Sequence, residues 1–440
     1  MRPMSLVALA CPLIVACGNH SPAAAADPNP ASSARPVDVD AGVVDAPPAV
    51  DGGRAMATVP CAPDEEVAAT GASHDRLTLT KARFSDLPGW ADDKLAEAVP
   101  SFLRSCAKLA AMHDNEPAGH DGHGGSVKQW RKACAAAAKL TAANDAAARA
   151  MFEAEFVPWT AAGKAGVDGK MTGYYVQELR ASRKKSGKYQ TPVYGRPKDL
   201  VMVDLSKHTK DSHGRRIWGR LDDKGELVPF YTREEIRKGA LAGRGLELMY
   251  VDEPIDLLFA HIEGSAKAKM DDGSVVWLDF AGKNGRSYQG VGAILKAMGE
   301  LKTPGSGTMQ GIRRWFEQHR NQWDAVVDQV YSFVFFQESS NGGAMGSQMV
   351  VLTGQRSMAI DRAFIAQSTP IWVDTRAPIA GTTGYGPWRK LLIAQDTGGG
   401  ILGAVRGDIY WGDDASAADI GGRMGGPGRY WLLLPKGVAK

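Results

Sequence analysis

The densest cluster of acidic, glycine and aromatic residues in the chain is the stretch Ala394-Gln-Asp-Thr-Gly-Gly-Gly-Ile-Leu-Gly-Ala-Val-Arg-Gly-Asp-Ile-Tyr-Trp-Gly412. The apolar run at residues 391–394 predicts a strand that delivers Asp396 to a glycine-rich turn, and Asp408 follows between Gly407 and two aromatic residues. Glycine lets the backbone approach a ligand closely and brings carboxylates together. Because neighbouring carboxylates raise the pKa of one of them, such a pair supplies a proton donor at neutral pH.

Asp361 ends another apolar run, residues 357–360, and is a third candidate acid. Aromatic side chains near these acids, among them Trp411, are suited to stacking on the flat apolar face of a sugar ring. The alternative is that each aspartate only caps a glycine turn. A second alternative is an aspartic protease, because Asp396-Thr-Gly398 matches its tripeptide. That class needs a second copy, and the second Asp-Thr, at Asp374, is followed by arginine.

The pattern around this stretch predicts a mainly β protein with helices near the N-terminus. Helices are expected at residues 92–111 and 126–155, and later only at 232–241, 290–300 and 309–319. Strands are expected at residues 227–231, 273–280, 332–337, 357–360, 370–373, 391–394 and 429–434. Many short strands without regular helices between them favour barrels or sandwiches over a parallel doubly wound sheet.

Length and composition exclude several classes of protein. The chain has 440 residues, 44% of them hydrophobic and 23% charged, which is enough for two to three folded domains. Lys+Arg number 52 against 49 Asp+Glu, a net charge of +3, so nucleic acid is not expected as the main partner. After residue 16 no apolar run approaches the roughly 20 residues that span a bilayer, which excludes a polytopic membrane protein.

The N-terminus predicts export and a lipid anchor. Residues 1–16 form a signal peptide of ordinary length, and Ile14-Val-Ala-Cys17 resembles a bacterial lipobox whose cysteine receives the lipid. Gly18 after this cysteine favours the periplasmic face of the outer membrane by resemblance to enterobacterial sorting. The alternative is an ordinary signal peptide cleaved near Ala16 or within residues 23–26. Residues 17–60 have almost no large hydrophobic side chains and are predicted to be a disordered tether.

Five cysteines are present, and three of them, Cys61, Cys106 and Cys134, follow the leader and precede the strand-rich part. In an oxidising periplasm one pair can bridge; Cys106 and Cys134, on two predicted helices, are the favoured pair, which leaves one odd thiol. Residues 113–125 contain three histidines and three acids, but their intervals match no standard metal motif, and the glycines and proline favour a solvated loop. No metal site is predicted.

The sequence resembles the membrane-bound lytic murein transglycosylase A family over most of residues 84–436. The markers run in order along the chain and end in the stretch quoted first: Leu87-Pro-Gly-Trp90, Thr172-Gly-Tyr-Tyr175, Tyr231-Thr-Arg-Glu-Glu-Ile236, His261-Ile-Glu-Gly-Ser265, Met309-Gln-Gly-Ile-Arg313, Ser357-Met-Ala-Ile-Asp361, Gln395-Asp-Thr-Gly-Gly399 and Arg406-Gly-Asp-Ile-Tyr-Trp-Gly412.

This resemblance implies a peptidoglycan lytic transglycosylase that cuts the β-1,4 bond between N-acetylmuramic acid and N-acetylglucosamine without water and leaves a 1,6-anhydro ring. It also implies two domains with a groove between them. A double-psi β-barrel domain with N-terminal helices is expected from residues 61–175 and 339–440. A smaller, inserted β-barrel at residues 176–338 is expected to bind substrate.

The resemblance places the catalytic aspartate of the family on Asp408, which acts first as acid and then as base, with Asp396 and Asp361 as its companions. Asp396 is expected to keep Asp408 protonated by like-charge repulsion. Six further residues are expected to contact the glycan: Thr172, Tyr174, Tyr175, Gln310, Glu263 and Trp411. Glu263 stands where family members usually have glutamine, and Leu402 where they have lysine.

The sequence leaves open two alternatives to a lytic transglycosylase. In a hydrolytic muramidase water would attack in the same groove, and a catalytically silent lipoprotein would only bind peptidoglycan. The expected partners are peptidoglycan glycan strands, with the membrane reached only through the lipid anchor. No cofactor is implied, and a monomer is the default.

Overall fold

A computed structural model describes residues 75–119, 123–140, 144–205, 208 and 216–438. The predicted signal peptide, the lipid acceptor Cys17, the tether, Cys61 and His120 lie outside these described residues. Within them, none of the helices combines the length and the apolar character needed to cross a bilayer.

The helices of the described chain are α1 (Val99–Ala110), α2 (Val127–Ala137), α3 (Asp145–Glu155), α4 (Arg233–Glu235), α5 (Pro254–Glu263), α6 (Val291–Ala297), α7 (Met309–Gln318), α8 (Trp323–Val327) and α9 (Ala415–Gly421). The strands are β1 (Thr78–Lys81), β2 (Phe156–Ala162), β3 (Gly169–Tyr174), β4 (Gln177–Ser182), β5 (Thr191–Tyr194), β6 (Val201–Asp204), β7 (Arg216–Leu221), β8 (Leu227–Val228), β9 (Glu247–Val251), β10 (Ala266–Met270), β11 (Val275–Lys283), β12 (Val334–Ser339), β13 (Ser357–Ile360), β14 (Pro370–Pro378), β15 (Tyr385–Asp396), β16 (Arg406–Tyr410) and β17 (Gly425–Pro435).

Six strands close into a first barrel in the order β3–β16–β13–β15–β14–β17, with β17 pairing back to β3. Two of the pairs, β13–β15 and β16–β3, are parallel, and the other four are antiparallel. Alternate side chains of these strands fill the interior, for example Met358, Ile360 and Ile409, each fully buried. Closure removes the unpaired strand edges that would otherwise invite aggregation.

The N-terminal helices cover the outside of this barrel. Phe102 on α1 packs edge-on against Phe156 at the start of β2, with ring centroids 5.6 Å apart. These aromatic rings belong to a buried apolar cluster that also holds Trp372 and Trp431 of the barrel wall. A disulfide joins Cys106 of α1 to Cys134 of α2. The helices are therefore fixed to the barrel by apolar burial and to each other by a covalent bond.

A second sheet has the order β12–β11–β10–β4–β9–β5, and a single bridge between Gly195 and Phe336 brings its two edge strands together. This second barrel is therefore nearly closed. All of its strands lie between β3 and β13 of the first barrel along the chain, so it is inserted into the first. A separate three-stranded sheet, β6–β7–β8, extends from the same part of the chain. The predicted fold class, mainly β with N-terminal helices and two barrels, is confirmed.

Some of the helices and strands predicted from local sequence lie where expected, and others do not. β13 and α7 lie where expected, whereas the helix predicted over residues 126–155 is two helices. The second of them, α3, is capped by Asn144, whose side-chain oxygen accepts the N–H groups of Ala146 and Ala147 at 2.9 and 3.1 Å. The expectation of only three helices in the strand-rich part was wrong, since α5, α8 and α9 lie there too. In α5 the residues from Ile255 to His261 are all buried, so this helix shows no alternation of polar and apolar faces.

Candidate active site

Barrel pairing places the two principal acids in one row. Ala359 on β13 is the register partner of Asp396 on β15 and also of Asp408 on β16, which in turn pairs with Thr172 on β3. Directly paired residues of a sheet point to the same face. The row Asp396–Ala359–Asp408–Thr172 therefore lies on the outer face of the first barrel, because the neighbouring residue Met358 fills the interior. Ala359 separates the two aspartates with a side chain too small to cover either one.

Asp408 is half-buried, and burial is the largest cause that raises its pKa, to about 6. The positive charges of Arg406 and Lys170 and a hydrogen bond from Thr172 act in the opposite direction. The Thr172 hydroxyl donates to Oδ1 at 2.5 Å. Within the described chain Oδ2 makes no hydrogen bond, so a proton on this oxygen is free to be donated. Asp408 thus has the pKa of a general acid that works near neutral pH.

Asp396 is held by three donors. Its Oδ1 accepts the backbone N–H groups of Ser347 and Thr397, both at 2.8 Å, and its Oδ2 accepts the hydroxyl of Tyr174 at 2.8 Å. Burial raises the pKa of Asp396, and these hydrogen bonds lower it. Its charge raises the pKa of Asp408 as expected, but as a smaller cause than burial. The Tyr174 hydroxyl, predicted to contact the glycan, is used by Asp396.

Asp361 holds the loop between Asp396 and Asp408 in place. Its carboxylate oxygens accept the N–H groups of Ala363 at 3.0 Å and of Gly403 at 2.8 Å. Gly403 has φ +123°, a conformation that side chains rarely adopt. A second acid that the sequence did not single out, Asp75, accepts the N–H of Ala404 in the same loop at 2.8 Å. Asp361 is therefore a positioning residue rather than a group aligned with Asp408.

The second barrel contributes Glu263 at the end of α5. Its Oε2 accepts the backbone N–H of Tyr175 at 3.3 Å, so it lies where the chain passes from β3 towards β4. Burial and then the negative charge of Asp408 raise the pKa of Glu263 well above its usual value. Glu263 therefore lies close enough to Asp408 for a negative charge on one to disfavour a negative charge on the other.

A cavity of about 860 Å³ lies beside this point and is lined by residues of both barrels, including Tyr175 and Gln310. The Nε2 of Gln310 donates to the carbonyl of Ala418 at 3.0 Å, while its Oε1 is buried without a partner among the described residues. The hydroxyl of Tyr175 bonds to Gln177 Oε1 at 3.1 Å. An acetamide or hydroxyl donor of a sugar would satisfy the free oxygen of Gln310.

The stacking role predicted for Trp411 is wrong. Its side chain is buried in the core of the first barrel, where the indole N–H points at the sulfur of Met424 at 3.2 Å. The ring packs against Trp388 with centroids 5.4 Å apart. Strand alternation explains this, since Trp411 and Asp408 are an odd number of residues apart and point to opposite faces.

Among the described residues, no three side chains of His, Cys, Asp or Glu lie close enough together to hold a metal ion. The loop at residues 113–125 is described apart from residues 120–122 and contributes no such group.

Comparison with known proteins gives the family. The model of the MltA specific insert domain matches residues 170–337, and the model of the 3D domain matches residues 356–434. The chain belongs to the MltA family. The insert match covers the strands of the second barrel, and the 3D match covers most of the first barrel together with all three candidate aspartates.

The curated relative from Escherichia coli K12 is named membrane-bound lytic murein transglycosylase A. It is 30% identical over 269 residues, which cover 60% of this chain and 65% of the relative, so the chain spans just under two thirds of its length. The solved membrane-bound lytic murein transglycosylase of Agrobacterium tumefaciens has a TM-score of 0.71 at 28% identity, covering 82% of this chain and 98% of that one. MltA from Neisseria gonorrhoeae has a TM-score of 0.67 at 29% identity, covering 82% and 93%.

Proposed function

We propose that this protein is a lytic transglycosylase. It cleaves the β-1,4 bond between N-acetylmuramic acid and N-acetylglucosamine in peptidoglycan and forms 1,6-anhydromuramic acid ends. The observation that carries the proposal is Asp408, a half-buried carboxyl group with a pKa of about 6 and one free oxygen, on the face of the first barrel that meets Glu263 of the second. The names of the relatives support the same substrate class.

The reaction uses Asp408 twice. Protonated Asp408 gives its proton to the glycosidic oxygen while the bond from C1 of the muramic acid breaks through an oxocarbenium-like transition state. The carboxylate then takes the proton of the C6 hydroxyl of the same sugar as that oxygen bonds to C1. The proton is returned, so no water is consumed. A general acid–base step of this kind contributes about 10²–10⁴-fold, and the internal nucleophile has a high effective concentration.

The surroundings of Asp408 disfavour hydrolysis. A hydrolase that inverts the anomeric centre needs a second carboxylate to activate water. Both oxygens of Asp396 accept hydrogen bonds, and burial raises the pKa of Glu263 well above its usual value, which disfavours its carboxylate form. Both features make these acids poor candidates for the base that would activate water. Thr172 orients Asp408, whereas Tyr175, Gln310 and Glu263 are the groups proposed to contact sugar hydroxyls and acetamides.

We further propose the cellular setting that the sequence predicts. Cys17 would carry the lipid, residues 17–60 would act as a tether, and the folded part would reach the glycan strands from the periplasmic face of the outer membrane as a monomer. The names of these relatives include the words membrane-bound, which agrees with an anchor of some kind. Radiolabelled palmitate incorporation into the full chain, and its loss in Cys17→Ala, tests the anchor.

The activity is tested with purified sacculi, the full chain and its Asp408→Asn variant. Mass spectrometry of the released fragments should show ends one water lighter than hydrolysis products, and the variant should release none. Asp374→Asn is a matched control, since Asp374 pairs with Arg389 on the same barrel and lies outside the site. Reducing ends would indicate a muramidase, and sacculus binding without release would indicate a silent binding protein.

A further inference from the structure

Two basic side chains flank the catalytic row. Lys170 on β3 and Arg406 on β16 are register partners, each two residues before a member of the row, Thr172 and Asp408 respectively. Residues two apart on a strand point to the same face and lie about 6.6 Å apart along it. Lys170 and Arg406 therefore stand side by side on the outer face of the first barrel, next to the catalytic acid.

Neither of these cations forms an ion pair with a carboxylate of the described residues, although both positive charges lower the pKa of the nearby Asp408. Nη1 of Arg406 donates to the carbonyls of Gly407 at 2.5 Å and of Lys170 at 3.4 Å. Among the residues that the structure describes, no carboxylate forms an ion pair with either side chain, although other basic residues of the sheets are paired, such as Arg429 with Asp168 at 2.6 Å. Lys170 is exposed and Arg406 half-buried, so both can meet a ligand from solvent.

On the other side of Asp408 along the strands, the flanking side chains are aromatic instead of basic. Two residues further along the same strands, Tyr174 and Tyr410 are buried against each other, with ring centroids 5.3 Å apart. That side is apolar and leads towards the second barrel. Along the strands, an anionic group next to the scissile bond therefore finds a favourable charge only on the side of Lys170 and Arg406.

We propose that Lys170 and Arg406 bind the carboxylate carried by the muramoyl residue whose glycosidic bond is cut. This inference rests on the proposed function and adds a determinant of specificity to it. Muramic acid differs from glucosamine by a lactyl ether whose carboxyl group is either free or joined to the stem peptide. The offset of about 6.6 Å from Asp408 is close to the length of one sugar unit. Two cations without ion-pair partners at that offset match a carboxylate on the sugar whose glycosidic bond Asp408 protonates.

The test uses glycan strands from which an amidase has removed the peptides, leaving free lactyl carboxylates. Half of the material is converted to the neutral lactamide with carbodiimide and ammonia. Release rates of anhydro products at low substrate concentration are compared for the two glycans at pH 5, where Asp408 is largely protonated. The wild-type protein should prefer the charged glycan about five- to tenfold, as expected for two partly exposed charge contacts, and 0.5 M salt should reduce this preference.

The double variant Lys170→Gln/Arg406→Gln should release products from the charged and the neutral glycan at nearly equal rates. The double variant Lys170→Arg/Arg406→Lys should retain the wild-type preference for the charged glycan. Arg429→Gln, which removes a paired cation from the same barrel, should keep the wild-type ratio. A ratio is unaffected by a uniform loss of folded protein, so a structural effect of the substitutions would not imitate the result. A glutamine variant that keeps the preference, or a wild-type protein without one, overturns the inference while the transglycosylase stands. If the wild-type protein cleaves neither glycan, both the proposed function and this inference are overturned.

Discussion

Replacement of Thr172 by valine should shift the pH dependence of the reaction. Valine is nearly isosteric with threonine and suits a strand, so the barrel should remain intact. It removes the one hydrogen bond described for the Asp408 carboxyl group, from the Thr172 hydroxyl to Oδ1 at 2.5 Å. This bond stabilises the carboxylate and lowers its pKa, which burial has raised to about 6.

The size of the shift follows from the energy of that bond. A hydrogen bond to a charged group is worth about 1.5–3 kcal/mol, and one pKa unit corresponds to about 1.4 kcal/mol. Loss of the bond should therefore raise the pKa of Asp408 by about one to two units. Because Asp408 must be protonated at the start of the reaction, activity is lost as pH rises through this pKa. The variant should lose activity at a higher pH than the wild-type protein.

The assay is the initial rate of anhydro-product release from sacculi between pH 4.5 and 9. In the wild-type protein the alkaline limb should have its midpoint near pH 6, and in Thr172→Val near pH 7–8. Thr172→Ser keeps the hydroxyl and should keep the wild-type midpoint, which separates the hydrogen bond from effects of packing. An unchanged or lower midpoint in the valine variant would refute the assignment of Asp408 as the acid held by Thr172.

Three further predictions concern Asp396, Glu263 and the disulfide. Asp396→Ala leaves three donors without an acceptor and should lower the free energy of unfolding by about 1–3 kcal/mol, with at least a tenfold loss of activity, measured by urea unfolding and product release. The raised pKa of Glu263 favours its neutral form, so Glu263→Gln should keep activity within about threefold between pH 5 and 7; a tenfold loss would mean that Glu263 works as a charged group. Replacing Cys106 and Cys134 with alanine opens a loop of 28 residues and should cost ~3.6 kcal/mol in thermal or urea unfolding. No loss relative to the wild type would show that the bond is absent or contributes nothing.

Local sequence predicted the elements whose patterns are regular. β13 has only apolar residues between Ser357 and Ile360, and α7 repeats its apolar residues at helical spacing, so both were placed correctly. α5 was missed because it is buried on all sides, and no polar face marks it as a helix. The first half of β15 contains Gly386 and Pro387, which disfavour a strand, and is held by pairing with β14 instead.

The site was predictable in composition but not in arrangement. Asp361 and Asp396 stand out in the sequence as acids that follow apolar runs, and Asp408 as an acid within the glycine-rich and aromatic stretch. Their different roles depend on pairing between strands that are distant in the chain, which no local pattern encodes. Ala359 shows this most clearly: nothing in its neighbourhood marks it, yet its register with both Asp396 and Asp408 puts those acids in one row. Trp411 shows the converse. It is close to Asp408 in sequence and was predicted to stack on the glycan, but strand alternation turns its side chain to the opposite face of the barrel.

The most direct test of the central claim is digestion of sacculi in water enriched in ¹⁸O. If Asp408 accepts the proton of the C6 hydroxyl and no water attacks, the new muramic acid ends should be anhydro forms with no ¹⁸O, and Asp408→Asn should produce none of them. Muramic acid ends that carry ¹⁸O from the start of the reaction would contradict this account and identify the protein as a hydrolase.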